Sequence, residues 1–271
     1  MVKGLDLMLC WHMHQPEYRD LDSGEFALPW VYLHAIKDYA DMAAHAERHP
    51  GVRMVFNFVP VLLEQLDDYT HQFATGQWRD PLLRWLVCED FSALCADERR
   101  RILSTCFRVN HDTMLQPFAG YRRLLSWAEQ LREADDADLL YLSAQYFADA
   151  VTWYHLSWTG ETVRREHPEL LALMRRGNAF TLAERRRLSE VLGGVVSAVI
   201  GRYRALAERG QIELSTTPYY HPITPLLLDF SSARESSPEA ALPQRSGYGG
   251  GYTRAQHHLQ QALNAHEQWF G

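Results

Sequence analysis

One stretch constrains this chain more than any other: Leu5-Asp6-Leu7-Met8-Leu9-Cys10-Trp11-His12-Met13-His14-Gln15-Pro16. It reads as a first β-strand, over about residues 4–14, that runs straight into a polar tip. Successive side chains of a strand point to opposite faces. Leu5, Leu7, Leu9, Trp11 and Met13 therefore share one face, and Asp6, Met8, Cys10, His12 and His14 share the other. Both faces are apolar for most of their length, which is the pattern of a buried parallel strand. Two imidazoles then emerge together, and Gln15-Pro16 ends the ladder, because proline has no N–H to donate to it. Ligands of α/β folds bind at the C-terminal ends of parallel strands. His12 and His14 are thus the first candidates for a functional site.

The apolar spacing predicts a helix from Val31 to Arg48, ended by Pro50-Gly51. Residues 52–58 form a second short apolar strand. Strand, helix and strand make a βαβ unit, so the two strands are expected to be parallel with a right-handed crossover. Pro60 opens another helix. From about residue 70 to 209 the pattern is helical, with segments near 81–87, 97–107, 119–133, 143–158, 167–176 and 181–208. Thr181-Leu182-Ala183-Glu184 fits a capping box, and Gly193-Gly194 is read as a close helix contact. This block is expected to be a helical insertion, or cap, between the second and third strands. The third strand covers 211–217, with Ile212, Leu214 and Thr216 on one face and Gln211, Glu213, Ser215 and Thr217 on the other. It ends in Pro218-Tyr219-Tyr220-His221-Pro222, a second polar, aromatic tip. A Ser-, Pro- and Gly-rich loop over 229–253 leads to a last helix, Arg254 to Phe270.

The fold class is therefore α/β. Three parallel strands cannot close a barrel, so residues 1–271 are expected to be the N-terminal part of one larger domain, with the remainder missing. The formal net charge of -7 argues against a nucleic-acid surface, which would show a basic stripe. The runs Arg99-Arg100-Arg101 and Arg185-Arg186-Arg187 are read as solvated helix faces. Cys10, Cys88, Cys95 and Cys106 form no CxxC pair, which points to a reducing compartment without disulfides or zinc. Lys3 precedes too short an apolar run for a signal peptide, and no stretch approaches the roughly 20 apolar residues of a membrane span. A cytoplasmic protein without cofactor or membrane partner is expected.

The strand tips offer Trp11, His12, His14, Gln15, Glu213 and His221; Asp149, Trp153, His155 and Trp158 of one helix could add to them, with plain helix packing an equal reading of the two tryptophans. Aromatic rings beside imidazole, amide and carboxylate groups suit a sugar. The apolar C–H face stacks, and the hydroxyls find donors and acceptors. Glu213 interrupts an apolar strand, which is costly unless the carboxylate is paired or serves a site. The same residues allow a second reading. His12 and His14 can hold a metal ion, with Glu213 or His221 completing the shell of a hydrolase or deacetylase. A third reading is a non-catalytic carbohydrate-binding fragment.

These residues also carry a resemblance. Trp11-His12-Met13-His14-Gln15-Pro16 and Gly210-Gln211-Ile212-Glu213-Leu214, with Tyr220-His221-Pro222 following, resemble the first two signatures of glycoside hydrolase family 57. Phe26 to Met42 and Asn57 to Tyr69 are similar to that family too, and the similarity extends over the whole chain. The resemblance implies a seven-stranded β/α barrel and a retaining enzyme of the α-amylase or 4-α-glucanotransferase type. Its substrate would be an α-glucan or maltooligosaccharide. His12, His14 and Glu213 carry over as substrate-binding residues, with Trp11, Gln15 and His221 beside them. The family's nucleophile and acid/base belong to later signatures that do not occur here. No catalytic carboxylate carries over, and the chain alone is expected to be inactive.

Overall fold

The computed structural model describes Gly4, residues 7–131 and residues 135–271. The readings placed on Lys3, on Leu5 and Asp6, and on the helix end at residue 133 lie outside the described residues. The chain divides into two compact units. One comprises Met1–Glu17, Ala46–Asp67 and Ile200–Gly271; the other comprises Tyr18–His45 and Asp68–Val199.

In chain order the elements are β1 (Cys10–Met13), α1 (Trp30–His34), a π-helical turn (Ala35–Tyr39), α2 (Ala40–Arg48), β2 (Met54–Phe58) and α3 (Pro60–Thr75). Then follow α4 (Pro81–Leu86), α5 (Ala96–Thr105), α6 (Ala119–Gln130), α7 (Ala144–Trp158), α8 (Glu161–Glu166), α9 (Pro168–Arg176) and α10 (Leu182–Glu208). β3 (Ile212–Thr216), α11 (Thr224–Leu228) and α12 (Gly251–Phe270) complete the chain, with short 3-10 and π turns between some of them.

The first unit is built on a parallel sheet of order β1-β2-β3. Its buried face carries Met13, Phe56, Phe58 and Ile212. Tyr203 of α10 meets Phe56 and Phe58 edge-on at 4.9 and 5.0 Å, and Phe270 of α12 meets Phe58 at 5.4 Å. Burying each of these side chains is worth about 1.5–3 kcal/mol. Gln211, expected on the site face, is buried and donates to Ala46 O and His49 O, so it caps the C-terminal end of α2.

The first strand is shorter and more open than its composition suggests. Leu7 and Met8 are 78% and 80% exposed, and Cys10 is exposed as well. The reason lies in the ladder. β2 begins at Met54, so the first rung is Cys10 with Val55, and Leu7 and Met8 find no partner strand among the described residues. Among the described residues β1 is also a sheet edge, and of Cys10–Met13 only Met13 is buried.

The second unit is helical and centred on α7. Apart from its first two residues, every residue of α7 is buried, as expected of a helix that is apolar all round. The capping box of α10 is present: Thr181 N donates to Glu184 Oε2 at 2.9 Å and Glu184 N to Thr181 Oγ1 at 3.3 Å. Gly193 marks the expected close contact, since a Cβ there would sit 2.9 Å from the Phe73 ring, whereas Gly194 faces open space.

Each arginine run departs at one residue from the solvated face expected of it, and the rest of each run is solvent-accessible. Arg99 is buried and donates to the carbonyls of Ser92, Leu94, Leu139 and Leu142. Arg185 is buried, donates to Leu86 O and Cys88 O, and lies over the Phe91 ring. In each run one guanidinium turns inward to satisfy loop carbonyls. The others pair with carboxylates, as in Arg100 with Asp136, or stack, as Arg101 does on Trp85.

Candidate functional site

The site grows from one rung of the sheet. Register places His12, Asn57 and Ser215 side by side on β1, β2 and β3. His12 Nδ1 faces Asn57 Oδ1 at 2.8 Å, and Asn57 Nδ2 donates to Ser215 Oγ at 3.0 Å. With Nδ1 as the donor, the Nε2 of a neutral His12 is an acceptor. The polar rung thereby fixes the tautomer of the imidazole.

Two further imidazoles close on it. The rings of His12 and His14 are 5.4 Å apart and nearly parallel. His221 reaches them from the tip of β3, at 4.8 Å from His12 and 5.1 Å from His14. Its backbone is left-handed, with φ 52°, at the end of a turn closed by His221 N donating to Pro218 O at 2.6 Å. Burial holds His14 below the ordinary histidine value of 6.5, and the neighbouring His221 and His12 lower it further. His14 is therefore neutral at pH 7. Neutral imidazoles offer one donor and one acceptor each, which suits uncharged hydroxyls.

The remaining candidates fall elsewhere. Glu213 shares the face of His12 but sits one rung earlier, opposite Val55. Two residues along a strand place it about 6.6 Å behind. It is exposed there, beside a hollow lined by Leu7, Met8, Arg53 and Gly210. Trp11 is half-exposed on the opposite face of β1, paired in register with Phe56. Gln15 is half-buried next to His14.

Asp149, Trp153, His155 and Trp158 belong to the core of the helical unit, all of them buried. Asp149 accepts from Ala179 N and Phe180 N and so shapes the turn before α10. Trp153 Nε1 donates to Gly177 O at 2.8 Å, and His155 is bonded to Val151 O and Tyr32 Oη. The packing reading of Trp153 and Trp158 is the one the structure bears out, and Asp149 and His155 are packing groups with them. Among the described residues, no group of three or more His, Cys, Asp and Glu side chains is arranged to hold a metal ion. Among them, too, no helix is long and apolar enough to cross a membrane.

Asn57 and Ser215 were not singled out from the sequence. The signal was there for Asn57. It is the one polar side chain in Met54–Phe58, and the argument that marks Glu213 marks it equally.

With this geometry in view, the comparison with known families decides the class of chemistry. Residues 8–271 match the family model described as Glycosyl hydrolase family 57. The chain belongs to that family. No curated protein and no solved structure matches it. Membership in family 57 brings glycoside hydrolase or transglycosidase chemistry and a carbohydrate substrate. A carbohydrate is the kind of ligand that a cluster of hydrogen-bond donors and acceptors suits.

Removing the bridge of the polar rung tests its role. Asn57→Ala removes the partner of the exposed His12 Nδ1 and of the half-buried Ser215 Oγ, and a loss of about 0.5–1.5 kcal/mol in unfolding free energy is expected. Urea denaturation measures it. An unchanged midpoint would show that the rung carries no weight.

Proposed function

We propose that this family 57 chain holds the sugar in a retaining site for α-glucans, of the α-amylase or 4-α-glucanotransferase type. The fold we assign is part of a seven-stranded β/α barrel, with the helices of about 70–209 inserted between its second and third strands. The observation that carries the proposal is the cluster of His12, His14 and His221, tied through Asn57 to Ser215. His12, His14 and His221 contact sugar hydroxyls in this reading, with Gln15, Glu213 and Trp11 at its margins. The four cysteines are free thiols, which supports a cytoplasmic setting.

We also propose that the 271-residue chain does not turn substrate over by itself. A retaining mechanism needs two carboxyl groups about 5–5.5 Å apart. The strand residues Cys10–Met13, Met54–Phe58 and Ile212–Thr216 include one acid, Glu213. A single carboxylate one rung behind the cluster cannot supply both nucleophile and acid/base.

Calorimetric titration with maltoheptaose, together with chromatography of the products, tests both statements. Saturable binding with a Kd near about 1 mM is expected, which corresponds to roughly -4 kcal/mol. His12→Ala with His14→Ala should weaken it more than about tenfold, and no shorter or longer oligosaccharide should form. Turnover that disappears when a carboxylate of this chain is replaced would overturn the second statement. Absence of binding would overturn the first.

A further inference from the structure

We propose that Tyr220 is the aromatic platform on which a sugar ring stacks in the histidine site, and that Tyr219 and His258 are positioning residues that hold its ring. The proposal rests on the carbohydrate reading above. It starts from the turn Pro218–His221, which presents three rings in succession. Tyr219 is buried, and its N–H donates to His258 O at 3.1 Å, anchoring the turn to α12. Tyr220 follows, 49% exposed. His221 then carries its imidazole to His12 and His14. Tyr220 is therefore the exposed aromatic ring of the same short turn that delivers a member of the cluster. Trp11, the other exposed ring near the cluster in sequence, lies on the face of β1 opposite to His12.

The ring of Tyr220 is held without being covered. Tyr219 meets it at 4.7 Å with the planes at 88°, and His258 meets it at 5.8 Å and 64°. Such tilted and edge-on pairs are the favoured geometry of ring contacts and fix orientation. His258 is only 8% exposed, and its Nδ1 has no hydrogen-bond partner among the described residues. Burial keeps its imidazole below the ordinary value, with Arg254 and His257 adding to the effect. A buried neutral imidazole with an orphaned nitrogen serves through its ring, and that ring packs on Tyr220. A pyranose laid on Tyr220 turns its C–H face to the phenol, one residue along the turn from the imidazole of His221.

Calorimetry of the 271-residue chain with maltoheptaose tests this. Tyr220→Ala is expected to raise Kd by about tenfold or more, and Tyr220→Phe to keep it within about twofold. His258→Ala should raise Kd about threefold beside Tyr220 but add nothing in the Tyr220→Ala background, whereas His258→Phe, which keeps a ring, should preserve affinity. Thermal unfolding of each variant reports whether it is folded. If folded Tyr220→Ala binds like the wild type while His12→Ala does not bind, Tyr220 is not the platform and the functional reading stands. If His258→Ala weakens binding equally with and without the Tyr220 ring, His258 does not act through Tyr220. No binding by the wild-type chain overturns this proposal and the function it rests on together.

Discussion

An Asp80→Asn variant will lose stability steeply between pH 6 and 4, relative to the wild-type chain at each pH. The expectation comes from two buried groups of the helical unit that titrate in opposite senses. Asp80 is buried, accepts from Tyr69 Oη at 2.7 Å and from Leu82 N at 2.8 Å, and caps α4. Burial pushes its carboxyl from 3.8 up to about 6. His155 is also buried, with Nδ1 donating to Val151 O and Nε2 accepting from Tyr32 Oη. Burial holds it down from 6.5 to about 4.

The signs follow from proton counting. Between about pH 4 and 6 the folded chain binds a proton at Asp80 that the unfolded chain has released, so acidification favours the folded state there. Over the same range the unfolded chain binds a proton at His155 that the folded chain refuses, so acidification favours unfolding. A one-unit difference in pKa is worth about 1.4 kcal/mol, so each group contributes about 3 kcal/mol across its window. In the wild type the two contributions offset each other. Asparagine does not titrate, and it exposes the His155 term alone. Urea denaturation at pH 6 and pH 4 should show the variant falling behind the wild type by about 2 kcal/mol over that interval. Parallel pH profiles would mean that Asp80 is not held in its neutral form.

Trp153→Ala is expected to cost about 3–5 kcal/mol of unfolding free energy, the range for removing a large buried aromatic. Its ring lies parallel to Tyr121 at 5.7 Å and beside Phe118 at 5.1 Å, fully buried, with Nε1 bonded to Gly177 O. The same change at Trp11, which is 46% exposed, should cost less than about 1 kcal/mol. Chemical denaturation of both variants measures the contrast. If Trp153→Ala left stability untouched and abolished saccharide binding, Trp153 would belong to the sugar site after all.

These two variants mark where sequence reasoning reached and where it stopped. The parallel βαβ start, the capping box at Thr181 and Glu184, and the strand carrying Glu213 are local patterns, and period and capping chemistry reveal them. His12, His14 and His221 stood out because polar residues at a strand end are rare and directional. Trp153 and His155 are ambiguous because an aromatic or imidazole on a helix looks the same in sequence whether it packs or binds. Only the partners Gly177, Val151 and Tyr32, 24, 4 and 123 residues away in sequence, decide that. Leu7 and Met8 were misread as buried because strand length is set by the partner, and β2 begins too late to pair with them. The rung His12–Asn57–Ser215 joins three distant segments, and register alone brings them together.

The central claim is that the three clustered imidazoles at the strand tips receive the sugar. Nuclear magnetic resonance of the histidine side chains during a maltoheptaose titration tests it most directly, with each imidazole assigned through a His→Gln variant. The resonances of His12, His14 and His221 should move together and saturate on one curve, while that of His155 stays fixed. Saturation of the protein with maltoheptaose while those three resonances remain unmoved would contradict the account.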